Sequence, residues 1–378
     1  MPEDTQRTAV LKSVKRVVIK IGSNVLTDPT TVINFNAFAR LVDEIAWIKE
    51  KGFLPIVVSS GAIAIGMRKL GLKQRPQSMP LKQAAAAVGQ IGLMENYDRF
   101  FKERNLRVAQ VLLTDLILKH RSWFLNARNT LFTLISLDVI PIINENDSVV
   151  VDEIKVGDND KLATITTNLV EADLLIILTD TDGLFDKDPR ANSDARLIST
   201  IEKITPKVEQ LCSKTRSSVG TGGMATKLAA ARDAARYGVP VIVANGQREG
   251  VLQAIFRGDE VGTLFLPQES RLRSREHWIA CTLKIKGKLI IDDGAQEALL
   301  HKGKSLLPVG IVKIEGTFNF GDCVGIFTQK RKEIGRGLTN YSSQELTKIK
   351  GVPSQQIEHI LGYKHYDEVI HRDDMVLA

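Results

Sequence analysis

The stretch KVGDNDKLAT, residues 155–164, sets Asp158, Asn159 and Asp160 side by side ahead of Lys161. A helix cap, a metal loop or a catalytic centre would each account for some of this crowding. The calcium-loop pattern D-x-D/N-x-D/N-G fails, because Leu162 stands where the third ligand is needed. A cap for a helix starting in KLATITTNLVEA explains Asp160 or Asn159, but not the whole group.

Other strand-to-loop junctions carry equally unusual residues, and ligands of open α/β sheets bind at such junctions. In VVIKIGSNVL, Lys20 lies inside an apolar run, where a lysine is costly to bury without an anion. A lysine snorkelling from a strand end is the plainer alternative. Gly22, Ser23 and Asn24 follow it and offer backbone N–H groups to a phosphate. VVSSGAIAIGM places Ser59, Ser60 and Gly61 between a strand and a helix, either as an anion site or as a simple N-cap. INENDSV adds Asn144 and Asp147, and TDTDGLFDKDPR adds Thr179 and Asp180. In SSVGTGGMATK, Gly220, Gly222 and Gly223 precede the helix bearing Lys227, a phosphate cradle without the Walker sequence G-x-x-x-x-G-K-S/T. Two lysines and two glycine-rich turns fit phosphoryl transfer carried out by alignment and electrostatics.

The elements that must hold these residues are legible from periodicity. VVIKIG, FLPIVVSS, RVAQVLLT, VIPIINE, DLLIILT and VPVIVAN are β-branched runs, as expected of strands covered on both faces. Amphipathic stretches such as NAFARLVDEIAWIKEKG and MATKLAAARDAARYG lie between them and end at Gly52 and Gly238. This alternation predicts an α/β, three-layer αβα sandwich with a mainly parallel central sheet over residues 1–270. Beyond it, IACTLKIKG, GIVKIEG, DCVGIFTQ and EIGRGL alternate between glycine-rich turns, with one helical piece, GAQEALLHKG. A small β-rich domain over 276–355 and a C-terminal tail over 356–378 are expected, with the boundary in PQESRLRSRE.

A chain of 378 residues exceeds what one core usually fills, which agrees with two domains. Its three cysteines, Cys212, Cys281 and Cys323, are scattered and form no disulfide framework or zinc spacing. No apolar run approaches the ~20 residues that span a bilayer, and the amino terminus is not a secretory signal, so a cytoplasmic protein is expected. The net charge of +7 is concentrated: residues 271–355 hold 15 Lys/Arg against 8 Asp/Glu. A polyanion contact, or lysines on solvated strand faces, would explain it.

KIGSNVLT, SSGAIAIG, IINENDSV, KVGDNDKLA, LTDTDGLFDKDPR and GTGGMATK, in this order, resemble the amino-acid kinase family, in particular its glutamate-phosphorylating branch. IDDGAQEAL and EIGRGLTNYSS resemble the PUA domain that many bacterial members carry, and the ending EVIHRDDMVL resembles the same kinase branch. The resemblance runs from about residue 14 to the end. It implies ATP-dependent phosphorylation of the side-chain carboxylate of L-glutamate, the first step towards proline, with Mg2+ on ATP and inhibition by L-proline. Lys20, Asp160 and Lys227 would be catalytic, with Asp160 holding the lysines in place. Ser60, Gly61, Asn144, Asp147, Asp158 and Asn159 would bind glutamate. Lys20, Gly22, Thr179, Asp180 and the loop Thr221, Gly222, Gly223, Met224, Ala225, Thr226, Lys227 would bind ATP. A homo-oligomer, dimer or tetramer, is implied as well.

The acids also discriminate among relatives. Asp147 or Asp158 would favour a substrate with a free ammonium group and repel one carrying a phosphate. Binding of RNA through the basic domain is the competing reading. Trp278, Phe318, Phe320, Phe327 and Tyr341 are few aromatics for base stacking, and most are needed for the domain's own core. A regulatory or oligomer-stabilising role for this domain is the third.

Overall fold

The computed structural model describes residues 5–27, 34–114, 117, 121–149, 158–189, 191–214, 223–267, 285–364 and 366–377. The chain forms two compact units, residues 1–119 with 126–270, and residues 271–378 with 120–125.

Strand and helix alternate through residues 5–267: α1 (Thr5–Lys12), β1 (Arg16–Ile21), α2 (Ser23–Leu26), α3 (Phe35–Glu50), β2 (Leu54–Ser59), α4 (Ala62–Lys69), α5 (Met79–Lys102), β3 (Arg107–Leu113), α6 (Arg121–Ser136), β4 (Val139–Glu145), α7 (Asp158–Leu169), β5 (Leu174–Thr179), β6 (Thr200–Ile201), α8 (Pro206–Lys214), α9 (Met224–Arg236), β7 (Val241–Asn245), α10 (Val251–Arg257) and β8 (Thr263–Phe265). Each apolar run read from the sequence before residue 245 is a strand of one eight-stranded sheet, ordered β3-β4-β2-β1-β5-β7-β8-β6. The first six strands in that order are parallel. Only β8 runs against β7, with the two-residue β6 parallel to it at the edge.

The period-two alternation of strands decides which helices each side chain meets. Val17, Ile19 and Ile21 of β1, with Leu174, Ile176 and Leu178 of β5, join a core built with α3, α5 and α10. The intervening residues, Lys20 among them, therefore point to the other face, where α7 packs on β1, β2, β4 and β5, and α9 packs on α7 and β7. This is the three-layer αβα sandwich. Gly52 and Gly238 follow α3 and α9 with φ of 87° and 71°, the left-handed stop that closes a helix without a Cβ penalty.

The α4–α5 crossing is unusually close. A Cβ on Gly66 would lie 1.7 Å from the Ala85 carbonyl oxygen, and one on Gly89 would lie 1.7 Å from that of Ala62. The glycines thus bring the start of α4, and the loop before it, within hydrogen-bonding reach of α5.

The second unit holds a five-stranded sheet, β10-β9-β11-β12-β13, from β9 (Gly287–Ile291), β10 (Ile311–Gly316), β11 (Cys323–Thr328), β12 (Glu333–Leu338) and β13 (Met375–Leu377). The expected run IACTLKIKG lies mostly outside the described residues, and the strand begins only at its last residue, Gly287. Two short helices, Ser343–Ile349 and Ile357–Leu361, join the expected one at Asp293–Lys302. The described residues from 356 on pack as part of this unit: Ile357, Val369, Ile370 and Met375 belong to its core, and β13 pairs with β12.

Candidate active site

Lys20 sits one residue short of the carboxyl end of β1, flanked in register by Val58 and Ile177. Its face is covered by α7, whose first turn places Asp160 opposite it. The Lys20 ammonium lies 2.8 Å from Asp160 Oδ1, and that of Lys227, on the first turn of α9, lies 3.4 Å from Oδ2. The Thr226 hydroxyl donates to the same Oδ2 at 2.8 Å. All three charged groups are buried, with exposures of 6% for Lys20, 1% for Asp160 and 4% for Lys227. Burial pushes the Asp160 carboxyl up, but the charges of Lys20 and Lys227, with hydrogen bonds from Lys20 and Thr226, outweigh it and hold the group below the usual carboxylate range. Burial, aided by the Lys20 charge, holds the Lys227 ammonium below the usual lysine range despite Asp160. Among the described residues, this buried trio brings two cations to one anion, and such a centre attracts a further anion.

Asn159, the preceding residue, reaches the opposite way, over the ends of β2 and β4. Its Nδ2 lies 3.0 Å from the Ser59 carbonyl oxygen, 2.9 Å from Ser60 Oγ and 3.0 Å from Asn144 Oδ1. The structure thus brings Ser60, Asn144 and Asn159 together beside the charged trio. Neither Asn159 nor Asp160 acts as the helix cap considered from the sequence, because α7 already begins at Asp158. Ser59 and Ser60 likewise do not cap α4: Gly61 does, at φ 109°, a conformation that only glycine adopts freely. Asp147 opens a 3-10 turn, Asp147–Val149, immediately beyond β4. The Asp158 side chain lies outside the described residues.

The nucleotide residues expected from the sequence gather at the ends of β1, β5 and β7. Gly22 N–H donates to the Leu178 carbonyl at 3.0 Å, and Gly246 N–H donates to that of Thr179 at 2.8 Å. Asp180 accepts from Asn24 Nδ2 at 2.9 Å and from the Thr179 hydroxyl at 3.1 Å. Burial raises the Asp180 carboxyl, but these hydrogen bonds and the Lys227 charge hold it below its ordinary value. Gly223 precedes α9, where Met224, Ala225, Thr226 and Lys227 form the first turn; among the described residues, a Cβ there would meet nothing within 4 Å. Thr221 and Gly222 lie outside the described residues.

Sequence reading missed the side-chain roles of Asn24, Gln90 and Tyr97. Gln90 and Tyr97 are two turns apart on α5; Gln90 accepts from Asn144 Nδ2 at 2.8 Å, and the Tyr97 hydroxyl donates to Ser59 Oγ at 2.8 Å. The available signal was Gln90 inside the uncharged run AAAAVGQIGLM, residues 84–94.

Residues 15–245 match the amino acid kinase family, and residues 287–361 match the PUA domain. Curated relatives match along nearly the whole chain. One, a glutamate 5-kinase of Geobacter sulfurreducens, is 52% identical over 98% of this chain and 100% of its own length. Another, the glutamate 5-kinase of Geobacter metallireducens, is 54% identical over the same shares. That of Thermoanaerobacter pseudethanolicus is 48% identical over 96% of this chain and 97% of its own.

Proposed function

This chain belongs to the amino acid kinase family, and we propose from that premise that it transfers the γ-phosphoryl group of ATP to the side-chain carboxylate of L-glutamate. The products are L-glutamyl 5-phosphate and ADP, in the first step of proline biosynthesis. The observation that carries this reading is the first turn of α7. Asp160 engages two lysines, while Asn159 engages Ser60 and Asn144. One helical turn thus joins an anion-attracting centre to a polar pocket.

The nucleophile needs no base, since a glutamate side chain, whose ordinary pKa is ~4.3, is ionised at neutral pH. The difficulty is the approach of two anions, and positive charge with alignment overcomes it. Lys20 and Lys227 neutralise the transferring group from two sides, and Asp160 organises them. Ser60, Gly61, Asn144, Asp147, Asp158 and Asn159 hold glutamate. Gly22, Thr179, Asp180 and the loop 221–227 hold ATP, whose phosphates approach the N-terminus of α9. Mg2+ would come with ATP and neutralise phosphate charge. Among the described residues no three metal-ligating side chains gather to hold it in advance; Asp180 and Asp182 are carboxylates near the nucleotide end.

L-Proline, the end product, is the expected inhibitor, overlapping the glutamate pocket, and the working form is a homo-oligomer in the cytoplasm. No helix among the described residues is long and apolar enough to cross a membrane. Catalysis belongs to residues 1–270 and the PUA-like domain to 276–355, with 356–378 completing it. RNA binding by that domain is the second reading, favoured by the PUA match and the basic excess. Phe318 and Tyr341 are buried in its core, which leaves few aromatics for bases.

Trapping the acyl phosphate with hydroxylamine, in the presence of ATP, Mg2+ and candidate amino acids, tests the proposal. Glutamate is expected to give the hydroxamate. Product from another acid, with none from glutamate, would overturn the substrate.

A further inference from the structure

Gln90 is buried on α5, next to the glycine that lets α5 approach α4. A primary amide in so apolar a helix is costly unless both of its ends are satisfied. Both are: Oε1 accepts from Asn144 Nδ2 at 2.8 Å, and Nε2 donates to Gln110 Oε1 at 3.0 Å. Asn144 Oδ1 in turn accepts from Asn159 Nδ2 at 3.0 Å.

Two backbone groups fix the sense of this relay. The Glu145 N–H can only donate, and it meets Asn144 Oδ1 at 2.9 Å. The Ser59 carbonyl can only accept, and it meets Asn159 Nδ2 at 3.0 Å. Rotating either amide by half a turn would set donor against donor or acceptor against acceptor. With Nδ2 committed, Asn159 Oδ1 is left buried and without a hydrogen bond among the described residues. A buried carbonyl oxygen in that state calls for a donor.

We propose that Gln90 is a positioning residue of the amino-acid pocket. By holding the Asn144 amide it holds Asn159, and so keeps the Asn159 carbonyl oxygen for a donor on the substrate. The inference rests on glutamate being that substrate. At neutral pH its α-ammonium is its only hydrogen-bond donor, since both carboxylates only accept. Gln90 therefore acts on recognition of the ammonium, at one remove and without touching the substrate.

The test compares wild type with Gln90→Met, which keeps the bulk and loses the amide, and Gln90→Glu, which keeps an acceptor for Asn144. Wild type must first yield hydroxamate from glutamate; if it does not, the substrate reading fails rather than the positioning role. For Gln90→Met, the KM for glutamate is expected to rise about tenfold, as for a lost hydrogen bond to a charged group. The KM for ATP should stay within about twofold of wild type, and Gln90→Glu should recover most of the loss. Glutarate, which lacks the ammonium, should inhibit wild type and Gln90→Met with constants within about twofold of each other. An unchanged KM for glutamate in Gln90→Met would overturn the proposal. So would KM values that rise together for both substrates, or glutarate inhibition weakened as much as glutamate binding.

Discussion

Asp160 divides its two oxygens between Lys20 and Lys227, and the organiser role proposed for it rests on that division. Asp160→Asn keeps the shape but releases both lysines from their anchor. Turnover is expected to fall by about 10²–10³, comparable to losing a preorganised charge-stabilising group, with a cooperative melt retained. Near-normal turnover in that variant would sink the organiser role. The pH dependence follows from the two opposite charges. Because the Asp160 carboxyl is held below its ordinary value, its stabilisation is present above the unfolded pKa of ~3.9 and is lost only as pH falls through the depressed folded value. Lys227 is depressed too, so the folded protein releases that proton at a pH where the unfolded chain still holds it. Over that interval stability rises with pH, while the charge proposed to act on the phosphoryl group disappears. The rate is therefore expected to decline on the alkaline side before the ordinary lysine range of ~10.4 is reached. A kcat profile flat up to that pH, in a protein still folded, would contradict it.

At the scale of elements, two glycines of similar appearance have different duties. Gly89 lies where α5 touches the backbone of α4, and an added methyl group would collide with the Ala62 carbonyl. Gly89→Ala should cost about 1–3 kcal/mol or more through forced separation of the helices, visible as a lowered melting temperature. Gly223 stands before α9 with no described residue within 4 Å of where a Cβ would sit and an extended backbone that alanine tolerates. Gly223→Ala should melt like wild type, yet bind ATP more weakly because the methyl group intrudes on the phosphate approach. Equal melting temperatures for the two variants would show that the close crossing has been misjudged. Periodicity alone does not separate these glycines. Both precede or interrupt helical sequence, and only the neighbouring element decides whether the missing Cβ makes room for protein or for ligand.

Over the whole molecule, the carboxyl-terminal residues complete the second unit. Val369 and Ile370 are fully buried in its core, and β13 supplies its last strand. A chain ending at residue 365 should lose about 1.5–3 kcal/mol of stabilisation for each of these two side chains. Limited proteolysis is expected to cut within 285–364 far sooner than in the full chain; an unchanged pattern would mean that these residues are dispensable.

The sequence by itself determined the strand-and-helix alternation and, through resemblance, the family. Those rest on local periodicity and on motifs contiguous in the chain. It also singled out Lys20, Asp160 and Lys227, because lysine in an apolar strand and acids in a turn are costly enough to stand out. The resemblance already assigned Asn159 to glutamate and Asp160 to the lysines; the tertiary structure added the contacts that separate these two side chains. Successive residues of a helical turn point about 100° apart, so Asn159 and Asp160 meet different partners. Tertiary structure alone revealed Gln90, since a hydrogen bond between residues 54 positions apart leaves no local trace in the chain.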